Sequence, residues 1–288
     1  MRPDRNRRTP MPMGLDIGTS FASTAARARP PACAQPDADA AAYVAAVEAA
    51  DGQALEQGVK DAITAFVAGC KADGVWNAVG AACVLAGART LAGALTPLKG
   101  PAPTNVNFVA GDYDRRTGLK GDAATKYLDS NRAGDADPLT DFHAAVWQTG
   151  LQTGAGSTFG PLIASRPPSN FINSSQIIDS AEDGNYQVIA RDVPPTEIGF
   201  RTPRVANRLV AMSLSGATLT MRYADALDAT TIAAVGSVPT TWQVLGRGDG
   251  ERHSDARVAF YSVGAALDLA ALDARVAALM TAIGEAVA

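Results

Sequence analysis

Aspartates are the residues in this sequence best suited to chemistry. Asp112, Asp114, Asp122, Asp129, Asp135, Asp137 and Asp141 cluster around the stretch 115–141, with Gly118, Gly121 and Gly134 among them. Two readings are open. Asp129, Asn131, Asp135 and Asp137 could offer oxygens to a calcium ion, which takes such ligands at about 2.3–2.6 Å. That makes Asp129, Asp135 and Asp137 the metal candidates and calcium the one possible cofactor. Alternatively, Asp and Asn stand there because their side chains bond the backbone in turns and caps. No spaced ligand loop of the EF-hand kind is present, which favours the turn reading.

Hydrolysis of a glycan would need a carboxylate pair, about 5–5.5 Å apart in a retaining enzyme. Residues two apart share one face of a strand, so a pattern such as E-x-D-x-E would supply it. The glutamates are Glu48, Glu56, Glu182, Glu197, Glu251 and Glu285, and none forms such a pair. Glu182 and Asp183 are adjacent and on a strand would face opposite ways. An aspartate pair assembled across loops stays open, but the expectation is a chain that is not an enzyme.

Sugar binding would use an exposed aromatic face beside hydrogen-bonding side chains. Trp147, Trp242, Tyr186 and Tyr223 are the aromatic candidates. Trp242 stands out because Gln243, Arg247, Asp249 and Arg252 follow it closely. The carbohydrate candidates are therefore Trp242, Trp147, Arg247 and Asp249. With aromatics at only 6% of the chain, core packing competes for each ring. Trp76 is assigned to helix packing, and Arg247-Gly248-Asp249 to a glycine-rich hairpin turn, Gly246 to Gly250.

Other motifs carry less. His143 and His253 lack Cys or Glu at ligand spacing and read as hydrogen-bonded structural histidines. Cys33, Cys70 and Cys83 are odd in number with no C-x-x-C spacing, which argues against a disulfide framework and against zinc. Met13 to Ser20 (MGLDIGTS) looks like the first phosphate-binding turn of sugar kinases and actin-like ATPases. That turn needs a strand before it, and here Pro10 and Pro12 precede it.

The elements that must position these residues follow from periodicity. Residues 1–39, rich in Pro, Arg, Ala and Ser, read as an extended arm. The arginine-rich start has no apolar stretch after it, so no Sec-type export is expected, and Met13 is an alternative start. Ala38 to Ala68 reads as helix broken at Asp51-Gly52, with Leu55, Val59, Ile63, Phe66 and Val67 on one face. A third short helix is expected over Asn77–Leu85, then a linker through Gly87, Gly93, Pro97 and Pro103. From Asn105 onward, short strands separated by turns at about 8–12-residue spacing predict a sandwich. Among them, Phe142, Ala144 and Val146 share one face, and His143, Ala145 and Trp147 the other. Arg208 to Tyr223 reads as a hairpin turning at Ser215-Gly216. Ala265 to Val287 reads as an amphipathic helix with a stripe of Leu269, Leu272, Val276, Leu279, Met280 and Ile283.

Net charge is −4, which offers no general attraction for nucleic acid or acidic membranes, and no apolar run is long enough to span a bilayer. The organisation expected is an arm at 1–39, a helical attachment segment at 40–100, and a β-sandwich with a closing helix at 101–288.

Four stretches together resemble a family of bacteriophage and gene-transfer-agent virion proteins with a concanavalin A-like, laminin-G-like sandwich. They are Phe66–Val79, Leu85–Gly100, Tyr113–Pro138 followed by His143, and Arg257–Ile283. The similarity runs from about Tyr43 to Ala288 and is weakest between Leu151 and Ala234. It implies a mainly β, jelly-roll fold in a tail or head fibre or spike, assembled in the bacterial cytoplasm and displayed on the virion. It further implies host surface polysaccharide as partner, in a homo- or hetero-oligomer joined to other virion proteins through the arm and helices. A purely structural decoration protein is the alternative, and a glycan depolymerase a more distant one. Fold alone does not decide among them.

Overall fold

Helix formers fill the first described stretch, and turn residues set its limits. The computed structural model describes residues 37–154, 159–168, 172–191, 198–200, 204–247 and 252–287. The Asp37 carboxylate accepts from the N–H groups of Asp39 and Ala40 and so opens α1 (Ala38–Asp51). Gly52, with φ 68°, closes it in the left-handed conformation that costs glycine least. α2 (Gln57–Ala72) follows, so the helix is broken where the sequence predicts. Leu55, Val59, Ile63, Phe66 and Val67 are all buried.

The third helix predicted over Asn77–Leu85 is instead a strand, β1 (Val79–Val84). It lies inside a sheet and is covered on both faces. Ala81 and Cys83 point into the sandwich, while Ala82 and Val84 point toward the helices. A strand buried on both sides has no polar alternation, and its short run of small apolar residues reads equally as helix. Residues 40–100 are therefore not a separate helical segment. They hold β1, a one-turn helix α3 (Leu91–Ala94) and β2 (Pro97–Lys99), and both strands join the first sheet.

The remaining strands are β3 (Thr104–Val106), β4 (Tyr113–Asp114), β5 (Gly118–Lys120), β6 (Tyr127–Ala133), β7 (Asp141–Gly150), β8 (Phe159–Ser165) and β9 (Ser175–Ser180). They continue with β10 (Asn185–Ala190), β11 (Ile198–Phe200), β12 (Arg208–Ser215), β13 (Thr218–Tyr223), β14 (Ala226–Thr231), β15 (Thr241–Val244) and β16 (Arg257–Gly264). Among the described residues the first sheet runs β14-β13-β12-β7-β16-β1-β2, with the β4-β5 hairpin added through β5 to β16. The second runs β11-β10-β9-β8-β15-β6-β3. Every pairing is antiparallel. The chain is thus the mainly β sandwich expected, with helices toward both ends. β14 escapes the sequence reading, because this edge strand is mostly exposed and carries no apolar period.

Two apolar clusters follow from strand alternation. Phe142, Ala144 and Val146 enter the cluster between the sheets; Ala145 and Trp147 enter the cluster under the helices, as their spacing predicts. On that outer face Leu209, Trp147 and Phe260 stand in one cross-strand row. Above it, Phe66 of α2 meets the Phe260 ring edge-on at 5.9 Å. α4 (Leu269–Ala286) packs beside α2 on the same face, burying Leu269, Leu272, Val276, Leu279 and Ile283. Asp273, off the predicted stripe, is buried too, and its carboxylate accepts from both Arg222 Nε (2.8 Å) and Nη2 (2.6 Å) of β13.

Candidate functional site

The aromatic candidates lie in the core. Trp242 is 1% exposed, inside the sandwich, with its ring 6.1 Å from that of Phe142. Trp147 lies beneath the helices. Tyr186 is buried and donates to Gln148 Oε1 at 2.8 Å, and Tyr223 is buried with its hydroxyl on Asp228. None of these rings offers a face to a sugar. The expectation that Trp242 and Trp147 bind carbohydrate is therefore corrected: alternation on β15 and β7 turns both indoles into apolar clusters. Asp249 lies outside the described residues. Arg247 lines a cleft described below.

Most of the clustered aspartates have partners of their own. Asp114 accepts from the N–H groups of Arg116 and Thr117, and Asp122 from those of Ala124, Thr125 and Lys126. These bonds hold the Asp122 carboxyl at about 2 despite partial burial. Asp129 accepts from Asn131 N–H at 2.8 Å and from the Thr241 hydroxyl at 2.6 Å. Asp137 pairs with Arg132 at 2.5 Å, and Asp135 is exposed. Among the described residues no group of three or more His, Cys, Asp or Glu side chains is placed to hold a metal ion. The turn-and-cap reading accounts for Asp114 and Asp122 and for the Asp129–Asn131 bond, an ion pair accounts for Asp137, and Asp129, Asp135 and Asp137 are not gathered as a metal-holding group.

His143 is a structural histidine. Its Nδ1 lies 2.6 Å from the Ala265 carbonyl, which can only accept, so Nδ1 carries the proton. Nε2 then accepts from the Ser262 hydroxyl at 2.7 Å. Burial pushes the ring's pKa down to about 4. The imidazole thus ties β7 to the end of β16, next to the start of α4. Cys70 and Cys83 are free and buried, as small apolar side chains would be.

A cleft of about 430 Å³ opens on the outer face of the second sheet, opposite the helix-covered side. This lies within the roughly 300–1,000 Å³ of small-molecule sites. Its floor comes from β9 and β10, whose alternate residues Ile177, Asp179, Tyr186 and Val188 face inward. The outward set is Gln176, Ile178, Gln187 and Ile189. The register places Gln187 opposite Ile178 and Ile189 opposite Gln176, so two carboxamides and two apolar side chains alternate like a chequerboard. The row continues across β8 to β15: Gln176 pairs with Ala164, and Ala164 with Gln243.

Phe159, Arg166, Arg247, Arg252 and Asp183 form the walls. Arg166 and Arg247 are buried and engaged within the protein. Arg252 is half-buried, its guanidinium 5.3 Å from the Phe159 ring centroid, a cation–π contact. Asp183, in the β9–β10 turn, accepts from Gln187 Nε2 and Ser180 Oγ, both at 2.8 Å. Gln176 Nε2 donates to Ser174 Oγ at 3.2 Å, which turns Oε1 away from it. Oε1 of Gln176 and Oε1 of Gln243 are buried and have no hydrogen-bond partner.

Beneath the floor, on the inner side, Asp179 is fully buried. It accepts from Gln152 N–H at 2.8 Å and Gln148 Nε2 at 2.5 Å, and pairs with Arg204. Burial still raises its pKa above the usual carboxylate value. Gly160 lacks a side chain where the Gln152 carboxamide passes to Ser254, and a Cβ there would collide with it. This network ties β8, β9 and the 151–154 loop together under the cleft.

Sequence reasoning missed Phe159, Gln176 and Gln187 as site residues. The available signal was the repeat Gln176-x-Ile178 and Gln187-x-Ile189 on neighbouring strands. It is an amide where an outward residue of an ordinary exposed sheet would be charged or hydroxylic.

No protein-family model matches the chain, and no curated protein is similar to it. Solved structures of similar shape include domain 4 of AbnA, a GH43 extracellular arabinanase from Geobacillus stearothermophilus, in complex with arabinotriose. The identity is 8%, over 62% of this chain and 82% of that one, with a TM-score of 0.45. Carbohydrate-binding module CBM66 from Bacillus subtilis matches at 15% identity, over 56% of this chain and 94% of that one, with a TM-score of 0.38. The CBM2 module of the evolved Dit of Lactobacillus casei BL23 phage J-1 matches at 14%, over 58% and 91%, with a TM-score of 0.36. At these values the likeness carries no argument about what this chain binds, and the reading rests on its own residues.

Proposed function

We propose that this protein binds host surface polysaccharide through the cleft on its second sheet, as a surface component of a virion. One observation carries the glycan reading: an outward-facing cleft that alternates carboxamides with apolar side chains, with arginines at its wall. A sugar ring presents apolar C–H patches between hydroxyls that both donate and accept. Ile178, Ile189 and Phe159 suit the first, and Gln176, Gln187 and Arg252 the second. The virion setting comes from the resemblance of the stretches between Phe66 and Ile283, with the arm as the attachment to other virion proteins. Repeated copies on one particle would multiply a weak single site.

The cleft supports binding rather than hydrolysis. Among its described lining residues there is one carboxylate, Asp183, already accepting two hydrogen bonds. Two are needed for acid–base cleavage of a glycosidic bond.

The test uses purified chain and purified capsule of the host. Retention of the chain on capsule, together with loss of particle adsorption when the protein is deleted, is the expected result. Normal adsorption of deleted but fragile particles would overturn this reading in favour of a decoration protein. New reducing ends in the capsule would overturn it in favour of a depolymerase.

A further inference from the structure

We infer that the cleft takes an acidic sugar unit, one that carries a fixed anionic group beside its hydroxyls. The inference rests on the glycan reading above and names the class of glycan. Two groups in the cleft want different things, and one kind of ligand supplies both. Arg252 is half-buried, and its guanidinium makes no hydrogen bond or ion pair among the described residues. The Phe159 ring, its centroid 5.3 Å from the guanidinium carbon, satisfies no N–H group by hydrogen bonding, so the fork of donors that suits a bidentate anion stays available. Gln176, by contrast, lines the same cleft and holds a buried carboxamide oxygen without a partner. That oxygen is an acceptor, and an unmet buried acceptor costs stability until a donor reaches it.

A neutral sugar would satisfy the Gln176 oxygen and leave the Arg252 charge unmatched. An inorganic sulfate would match the charge and bring no hydrogen to the amide. A sugar with hydroxyls and one carboxylate or sulfate ester answers both. Ile178 and Ile189 then lie beneath the ring's apolar face. Asp183, the one carboxylate among the described lining residues, is held by Gln187 and Ser180 at the turn.

The experiment measures binding of the full chain to four polymers: polygalacturonate, its carboxyl-reduced form, dextran sulfate and dextran. Expected is about tenfold tighter binding to at least one acidic polymer than to its neutral counterpart, weakened by added salt. Whether polygalacturonate or dextran sulfate shows the preference identifies the anion as carboxylate or sulfate. Arg252→Gln should remove that preference and leave the residual neutral binding in place. Gln176→Met, similar in size, should weaken acidic and neutral polymers alike, by about threefold to tenfold. Circular dichroism confirms that each variant is folded, and the wild-type ratio decides the matter even where a variant is not. Equal wild-type binding to the charged and uncharged member of both pairs overturns the acidic assignment and leaves the glycan reading intact. No binding to any of the four overturns both.

Discussion

The two outer faces of this sandwich are built from the same kind of strand and have opposite fates. On the first sheet, outward residues of β7, β12 and β16 are Ala145, Trp147, Leu209, Ala211 and Phe260, and three helices cover them. On the second sheet, outward residues of β9, β10 and β15 are Gln176, Ile178, Gln187, Ile189 and Gln243, and a cleft opens over part of them. An all-apolar face must be buried against something, and here the chain supplies its own helices. A face that mixes amides with isoleucines has no such need of a covering helix, and its amides can be met by water or by a ligand. On the proposed reading, stability and ligand binding fall on opposite sides of one sandwich.

The largest effect expected on the covered face comes from Trp147→Ala. It empties a site walled by Leu209, Phe260 and the helices, and should cost about 3–5 kcal/mol in urea melts. Glycan binding by the fraction that stays folded should be unchanged. Selective loss of binding with normal stability would return Trp147 to the role of a sugar-stacking residue and break the division between faces.

Next comes pH. His143 sits on the covered face with its pKa pushed down to about 4 from an ordinary value of 6.5. The unfolded ring takes up a proton before the folded one does, so the neutral ring's contribution is complete above about 6.5. It is lost as pH falls toward about 4, which amounts to about 2 kcal/mol between pH 7 and pH 5. His143→Gln should flatten that part of the stability profile. An unchanged slope in the variant would show that other groups carry it. Smaller again is the pair that fastens α4 to β13. Asp273→Asn replaces a doubly bonded carboxylate facing Arg222 and should cost about 1–2 kcal/mol, seen as a lower urea midpoint at unchanged slope. No change in midpoint would mean that α4 is held by its apolar stripe alone.

The covered face is far more legible in the sequence than the open one. Helix stripes repeat every three or four residues, and Leu55, Val59, Ile63, Leu272 and Val276 announce themselves. Strand alternation at 142–147 assigns both faces of β7 correctly. What fails is what period alone cannot see. β1 is buried on both sides and has no alternation, so its alanines pass for helix. Trp242 draws attention through the polar residues that follow it, yet alternation on β15 turns Gln243 outward and the indole in. The aspartates draw notice by their number, but Asp114 and Asp122 close local turns while Asp112 and Asp137 pair with Lys126 and Arg132. The cleft depends on residues from β8, β9, β10 and the loop after β15 that are up to 93 positions apart, Phe159 to Arg252. Only sheet order, which brings β15 beside β8, could place them together.

The smallest stability effect should belong to the residue with the largest effect on ligand choice. Arg252 is half-buried and contributes to folding chiefly through the Phe159 ring, a contact of about 0.5–1 kcal/mol at a partly exposed site. Part of that is returned in Arg252→Gln, because a glutamine stem still covers the ring edge and its amide is easily hydrated. The expected change in melting temperature is therefore about 2 °C or less for a domain of this size. A core residue would behave otherwise, since deleting it removes packing that no solvent replaces. If Arg252→Gln instead lowered stability as much as Trp147→Ala, the guanidinium would be a structural strut. The open face would then support folding as strongly as the covered one does, and the contrast between the two sheets would disappear.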